Sequence, residues 1–461
     1  MQHRDATDES NPSLPAATVP GELSPAERWT VLVGAFLAWM FAGLEISSFV
    51  LLARPAMLDM LATQLQSGSV EAQVGDWFAW FQCAFLLGAA TGGWVFGWLG
   101  DRAGRTRAMT LSILCYSLVT GVSYFAADPY TLLALRFVAC LGVGGVWPNA
   151  VSLAVEALPE MSRPLLAGLM GAAANVGFVL LGLICCVVPV TPESWRWVLL
   201  VGASPAVLGL FALLVLPESP RWLFDNSTAE KRSQSQPMRE ILRPPLLSRT
   251  AIGICLGAIP VIGTSANANW LIPWADQAAD RVAADAKVDP PNADRAAAPK
   301  PARGGDPRLK AWTQVTRSGG AVFGSLLGGW IASLLGRRLT YFCISLASFA
   351  ISSYIYNFLD PRDPQFAWFA FLLGFVGVTY FGWLPLYLPE LFPTRVRSTG
   401  TGVTFNSGRI LAAASVLGAG GLMQLFGGDY ARVGMFTGLI YVVGMIVICF
   451  APDTTANKLE D

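Results

Sequence analysis

Three ionisable side chains stand out because each lies inside a long apolar run, where a charge is costly and has to be put to use: Glu45, Arg136 and Arg409. The only histidine, His3, lies near the N-terminus, so a proton carrier at membrane depth has to be a carboxylate. Glu45 lies about sixteen residues into its run, about 24 Å along a helix entering from the cytoplasm. Arg136 lies about six residues, or about 9 Å, into a run entering from the opposite side. In a hydrocarbon core about 30 Å thick both fall in the outer half, at one level, where opposite charges seek each other. Protonating Glu45 dissolves such a pair and biases a two-state equilibrium; the plainer alternative is a static ion pair that locks two helices. Arg409 falls near midplane, about eleven residues into its run, with no acid within a turn or two. Its donor fork suits a carboxylate on a solute, or a backbone carbonyl or Glu45 if it never meets one. Asn406 is one turn earlier on the same face. Gln82, Asn149, Asn267, Asn269, Tyr380 and Trp383 line a cavity or make helix–helix hydrogen bonds, two readings the sequence leaves open.

The elements that hold these residues are set by composition. Apolar types make up 54% of the 461 residues and charged types 13%, too few to cover a soluble protein of this length. The 31 basic and 31 acidic residues balance, which gives no field for nucleic acid. Eight cysteines lie inside apolar runs with no CxxC spacing, so neither metal nor disulfide chemistry is expected, and no cofactor. Apolar segments fall near 29–53, 76–100, 107–127, 130–155, 164–189 and 196–216, then 250–275, 312–335, 339–358, 366–388, 399–426 and 431–451. The expected architecture is all-α and polytopic, with twelve transmembrane helices in two pseudo-symmetric six-helix bundles. Residues 1–28 read as a disordered cytoplasmic tail, 29–216 as the N-terminal bundle and 217–249 as a cytoplasmic linker. Residues 250–451 read as the C-terminal bundle, with an external insertion at about 276–310, and 452–461 as a second tail. Lys and Arg concentrate in the connections on one side, which places both termini and the linker in the cytoplasm of an inner (plasma) membrane protein.

An internal repeat ties the two sixes together. GWLGDRAGR at 97–105 recurs as GWIASLLGR at 329–337, and EALPEMSR at 156–163 recurs as ELFPTRVR at 390–397. The offsets agree within two residues, so a solute site is expected near midplane between the halves. The same offset sets Asn175 opposite Arg409 or, with a three-residue gap, opposite Asn406. Gly97 and Gly104 permit a tight turn, and Asp101, beside Arg102 and Arg105, suits a helix N-terminus. Glu156, Arg163, Glu390 and Arg397 supply opposite charges at matched places, as an inner gate of weak, breakable pairs requires.

GWLGDRAGRTR resembles the signature loop of the major facilitator superfamily. RFVACLGVGG resembles its fourth-helix Arg–Gly signature, and PESPRWL the sugar-porter form of the linker. GVGGVWPNAVSLAVE is similar to the fourth helix of aromatic-acid–proton symporters, and AGLE at 42–45 to their first-helix acidic motif, with Ala42 at the first acid and Ser333 at the aspartate of the second loop. The resemblance implies alternating access, with Glu45 and Arg136 coupled as the first-helix acid and fourth-helix arginine are in xylose–proton symporters. The expected function is proton-coupled symport of a small organic acid by a monomer in the lipid bilayer, not an enzymatic reaction. Sugar–proton symport and a membrane solute sensor that moves nothing are the alternatives.

Overall fold

The computed structural model describes residues 23–62, 70–220, 222–223, 237–288, 305–393 and 396–454. Among them are twelve helices long and apolar enough to cross a membrane, and no strand. The first six are α1 (Pro25–Met60), α2 (Val70–Ala103), α3 (Arg105–Val122), α4 (Pro129–Ala157), α5 (Arg163–Val187) and α6 (Trp197–Val215, broken near Pro205). The second six begin with α7, an α-helix over Leu246–Ile262, a π turn at Gly263–Asn267, a 3-10 turn at Ala268–Trp270 and an α-helix over Leu271–Val288. They continue with α8 (Leu309–Leu335), α9 (Arg337–Phe358), α10 (Phe366–Glu390), α11 (Arg397–Leu425) and α12 (Tyr430–Phe450).

Local chemistry sets several boundaries. Ser24 and Glu27 form a reciprocal capping box and Pro25 fills the first helical position, so α1 starts four residues before its apolar run. Asp128 caps α4, and hydrogen bonds from Thr131 hold its carboxyl below the usual range. The two signature loops turn on matched glycines, Gly104 at φ 106° and Gly336 at φ 83°, a backbone region that a side chain makes costly. The largest departure from the expected bounds is at α7. Residues 276–288 are not loop but the last turns of this helix, and Asp276 and Gln277 are buried. At the other end of the expected insertion, Leu309 and Lys310 open α8. Residues 289–304, the expected N-terminal tail up to residue 22 and most of the linker fall outside the described residues.

The halves repeat each other's packing. In the first, α1 lies on α5, α2 on α4 and α3 on α4; in the second, α7 lies on α11, α8 on α10 and α9 on α10. The α1–α5 contact is backbone against backbone: a Cβ at Gly43 would strike the Ala174 carbonyl, and one at Gly177 the Met40 carbonyl. Two seams join the halves, α2 against α11 and α5 against α8. The start of α1, the described ends of the linker and the last turn of α12 share one end of the bundle, called here the linker end; the other is the far end.

Candidate functional site

Glu45 and Arg136 meet as their depths require. Arg136 Nη1 donates to Glu45 Oε1 at 2.5 Å, and the Thr120 hydroxyl of α3 donates to the same oxygen at 3.2 Å. The guanidinium lies 4.1 Å from the Phe49 ring centroid. Glu45 is 0% and Arg136 2% exposed, and Glu45 Oε2 and Arg136 Nε have no hydrogen-bond partner. Gly43 faces α5; two residues on, about 200° around the helix, Glu45 faces α3 and α4. The pair therefore sits within the first half rather than on a seam.

Arg409 does sit on a seam. Its Nη1 lies 3.3 Å from the Ala89 carbonyl oxygen of α2 and 3.5 Å from Asn406 Oδ1, and its guanidinium stacks 4.7 Å from the Phe405 ring. Both polar contacts are long, the side chain is half-buried, and no carboxylate pairs with it among the described residues. Gly93 of α2 lies against both Asn406 and Arg409. Gln82 is buried on the same face of α2, seven residues from Ala89 and three from Ala79, which packs on Gly420 of α11.

The remaining polar candidates separate. Asn175 bridges the other seam: its Nδ2 donates to Ser325 Oγ of α8 at 3.2 Å and to Gly171 O at 3.0 Å. It is not joined to Arg409. Asn149 donates to Phe96 O at 3.0 Å and Gly145 O at 2.8 Å, tying α4 to α2. Asn267 donates to Gly434 O at 2.8 Å and Thr437 Oγ1 at 3.1 Å, and it accepts from Ser352 at 2.9 Å. Tyr380 exchanges a 2.7 Å hydrogen bond with Ser345 and packs on Tyr341. In this conformation Asn149, Asn267 and Tyr380 hydrogen-bond neighbouring helices, one of the two readings the sequence leaves open, because in hydrocarbon an unmet polar group finds the nearest partner.

The far end is closed by an ionic cluster that sequence reading did not assemble. Arg54, 4% exposed, donates to Glu71 at 2.5 Å and 3.2 Å, to Asp276 at 3.0 Å and to Asp280 at 2.6 Å. Lys310, also buried, holds Asp276 from the other side at 2.8 Å. Arg54 and Glu71 belong to the first half, and Asp276, Asp280 and Lys310 to the second. Phe78 of α2 meets Trp270 edge-on, and Gln424 of α11 donates to Ala72 O, so apolar and polar contacts cross the seam at this level too. A second omission is Arg317 of α8, 3% exposed with Nε and Nη2 unpartnered. An ionisable residue within an apolar run was signal enough to find it.

At the linker end the charges pair within each half. Arg105 bonds Asp101 at 2.5 Å and lies 3.8 Å from Glu156, which also accepts from Ser219. Glu218 lies under the positive-φ turn at Gly104 and accepts from the Thr106 amide at 3.0 Å, and Trp222 donates to Asp101 O at 3.0 Å. Arg102 instead stacks on Trp98 at 4.3 Å, and Gly97 has open space beside it. In the second half Arg337 holds Glu390 at 2.8 Å, and Thr454 donates to the same carboxylate. Arg397 is half-buried with its Nε unpartnered, and the Arg163 side chain lies outside what the structure describes. Glu156 and Glu390 are therefore occupied inside their own halves, and no ion pair crosses between halves at this end among the described residues.

A family model described as "Sugar (and other) transporter" matches residues 29–241. The chain is 26% identical to the "Probable 4-methylmuconolactone transporter" of Cupriavidus pinatubonensis, covering 91% of each chain. It is 27% identical to the cis,cis-muconate transport protein of Acinetobacter baylyi, covering 82% of this chain and 85% of that one. Among solved structures it resembles the nucleoside transporter NupG, with a TM-score of 0.64 and 14% identity over 92% of this chain and 99% of the other, a likeness of fold alone. Twelve helices in two matched sixes and signature loops turned on paired glycines give a multi-pass membrane protein that resembles the major facilitator superfamily in fold, and over nearly its whole length the chain is similar to transporters.

Proposed function

We propose that the protein is a proton-coupled symporter of a small organic acid, working as a monomer by alternating access. The observation that carries the reading is Arg409, a half-buried guanidinium on the α2–α11 seam whose polar contacts among the described residues are a carbonyl and an amide oxygen at 3.3 Å and 3.5 Å. A planar donor fork left this free is suited to the carboxylate of a solute. Relatives named for cis,cis-muconate and gallate, both carboxylates, support the same class. Glu45 is the proton carrier in this reading: its Oε2 is buried without a donor, so protonation neutralises the carboxylate and releases Arg136. With the linker end in the cytoplasm, as the basic connections favour, the ionic cluster closes the external side and the inner side is the one free to admit water. The proposed location is the inner (plasma) membrane.

Uptake of a panel of acids and sugars into proteoliposomes, with and without a pH gradient, tests this. Glu45→Gln is expected to abolish gradient-driven accumulation while sparing exchange; a variant that still concentrates its solute removes the coupling role. Arg409→Gln is expected to impair acids far more than neutral sugars. Equal losses, or none, favour the second reading, sugar–proton symport, which the family model's description supports. A pure solute sensor shows binding with no uptake of any compound.

A further inference from the structure

Of the three arginines that are almost wholly buried among the described residues, two are neutralised: Arg54 by Glu71, Asp276 and Asp280, and Arg136 by Glu45. Arg317, 3% exposed, has no carboxylate partner among the described residues, and two of its three guanidinium nitrogens have no hydrogen-bond partner there. Its titratable neighbours in electrostatic range are the phenols of Tyr356 and Tyr441, which already donate to Asn267 O at 2.8 Å and Gly263 O at 3.2 Å. One turn away on α8, Gln314 donates to the Phe178 carbonyl of α5 at 3.1 Å and leaves its own Oε1 bare. The Phe178 ring lies 5.9 Å from the guanidinium. A cation, an amide and an aromatic face therefore converge at the seam between the halves, with the cation's charge unmet. A buried guanidinium in that condition is unfavourable unless an anion joins it.

Its depth follows from the far-end cluster, which holds Arg54, Glu71 and Lys310 at one level. Counting along each helix at 1.5 Å per residue, Arg317 lies about 10 Å below that level, Glu45 about 14 Å and Ala89, which Arg409 touches, about 27 Å. Arg317 thus stands just beneath the closed end, level with the Glu45–Arg136 pair, and Arg409 stands well beyond it.

We infer that Arg317 is a second anion-binding residue of the path, receiving the carboxylate of the transported solute between α5 and α8, with Gln314 beside it and Phe178 packing on the solute's unsaturated body. The inference rests on the reading of the path as one for carboxylates. An anion passing from the far end meets Arg317 first and Arg409 second, so the two arginines are successive stations.

The test uses the purified full-length protein. Affinity for benzoate, gallate and cis,cis-muconate, and for the neutral benzamide, is measured by thermal-shift titration, and uptake of the tightest carboxylate is measured in proteoliposomes. Arg317→Gln is expected to weaken that carboxylate's binding tenfold or more while leaving benzamide unchanged, with Arg317→Lys between it and the native protein. Without ligand, Arg317→Gln is expected to melt no lower than the native protein, since it removes an uncompensated charge. Gln314→Glu, which keeps Arg317 but sets a carboxylate one turn away to compete for the guanidinium, is expected to weaken the carboxylate as well and guards against a misfolded Arg317→Gln. Native carboxylate affinity in Arg317→Gln overturns the inference, as does an equal loss for benzamide, which marks a structural role. Chloride that competes through Arg317 while carboxylate uptake is unaffected by Arg317→Gln makes it a chloride site and overturns the solute assignment. If Arg409→Gln loses carboxylate selectivity and Arg317→Gln does not, this inference fails alone; if neither does, or no carboxylate binds, the proposed function fails with it.

Discussion

Replacing Arg54 by Gln is expected to tip the protein away from the conformation described here. Arg54 bonds three carboxylates, but they do not count equally. Glu71 belongs to the same half and stays within reach whichever end is open, so its bond cancels from the equilibrium. Asp280 is 58% exposed, and a bond to a group so solvated contributes under about 1 kcal/mol. Asp276 is 9% exposed at 3.0 Å, a charge-assisted contact worth about 1.5–3 kcal/mol. It keeps Lys310 in the variant, so it is not left as a lone buried charge and the larger penalty for an orphaned ion does not apply. The loss specific to the closed far end is therefore about 2–3 kcal/mol, a shift of about 30- to 150-fold in the open-to-closed ratio. Spin labels at Thr131→Cys and Asp363→Cys, exposed far-end positions on opposite halves, report that ratio as two distance populations by pulsed dipolar spectroscopy. Adding Asp276→Asn should then change the ratio little further, because the two substitutions remove one shared contact. A ratio within threefold of the native one in Arg54→Gln, or full additivity with Asp276→Asn, would refute the assignment of this cluster as the closure.

Other expectations follow from packing. Asn267→Ala removes three side-chain hydrogen bonds that tie α7 to α9 and α12; at about 0.6 kcal/mol each in a membrane it should cost about 2 kcal/mol. Thermal denaturation in detergent should show that loss while solute affinity is unchanged, and a selective affinity loss at native stability would return Asn267 to the binding site. Gly43→Val drives a branched side chain into the Ala174 carbonyl and should lower the melting temperature sharply, by overpacking worth about 1–3 kcal/mol or more. Unchanged melting would mean that α1 and α5 do not approach as closely as described.

What the sequence made legible is what short-range patterns encode. The repeated Gly–Arg loops announced two matched halves, because a positive-φ turn at Gly104 and Gly336 demands glycine wherever it occurs. The Glu45–Arg136 pair was legible because two residues at one depth in a thin slab have few other partners. The Arg54 cluster was not, since it draws on α1, α2, α7 and α8, and hydropathy ends α7 where its polar last turns begin. Nor was the role of Asn267: its main acceptor is a backbone carbonyl that no side-chain pattern reveals.

The Arg54 cluster also carries an imbalance. Three carboxylates face two cations, so this cluster holds one surplus negative charge, and Asp280 presents part of it to solvent. An anionic solute diffusing toward the shut end is repelled, and the repulsion fades over a Debye length of about 10 Å at 0.1 M salt. Raising ionic strength should then quicken the encounter, contrary to the slowing usual for a cationic receptor and an anionic ligand. The attraction of Arg317 and Arg409 operates only after the mouth has parted, so capture kinetics and final affinity should respond to salt in opposite directions.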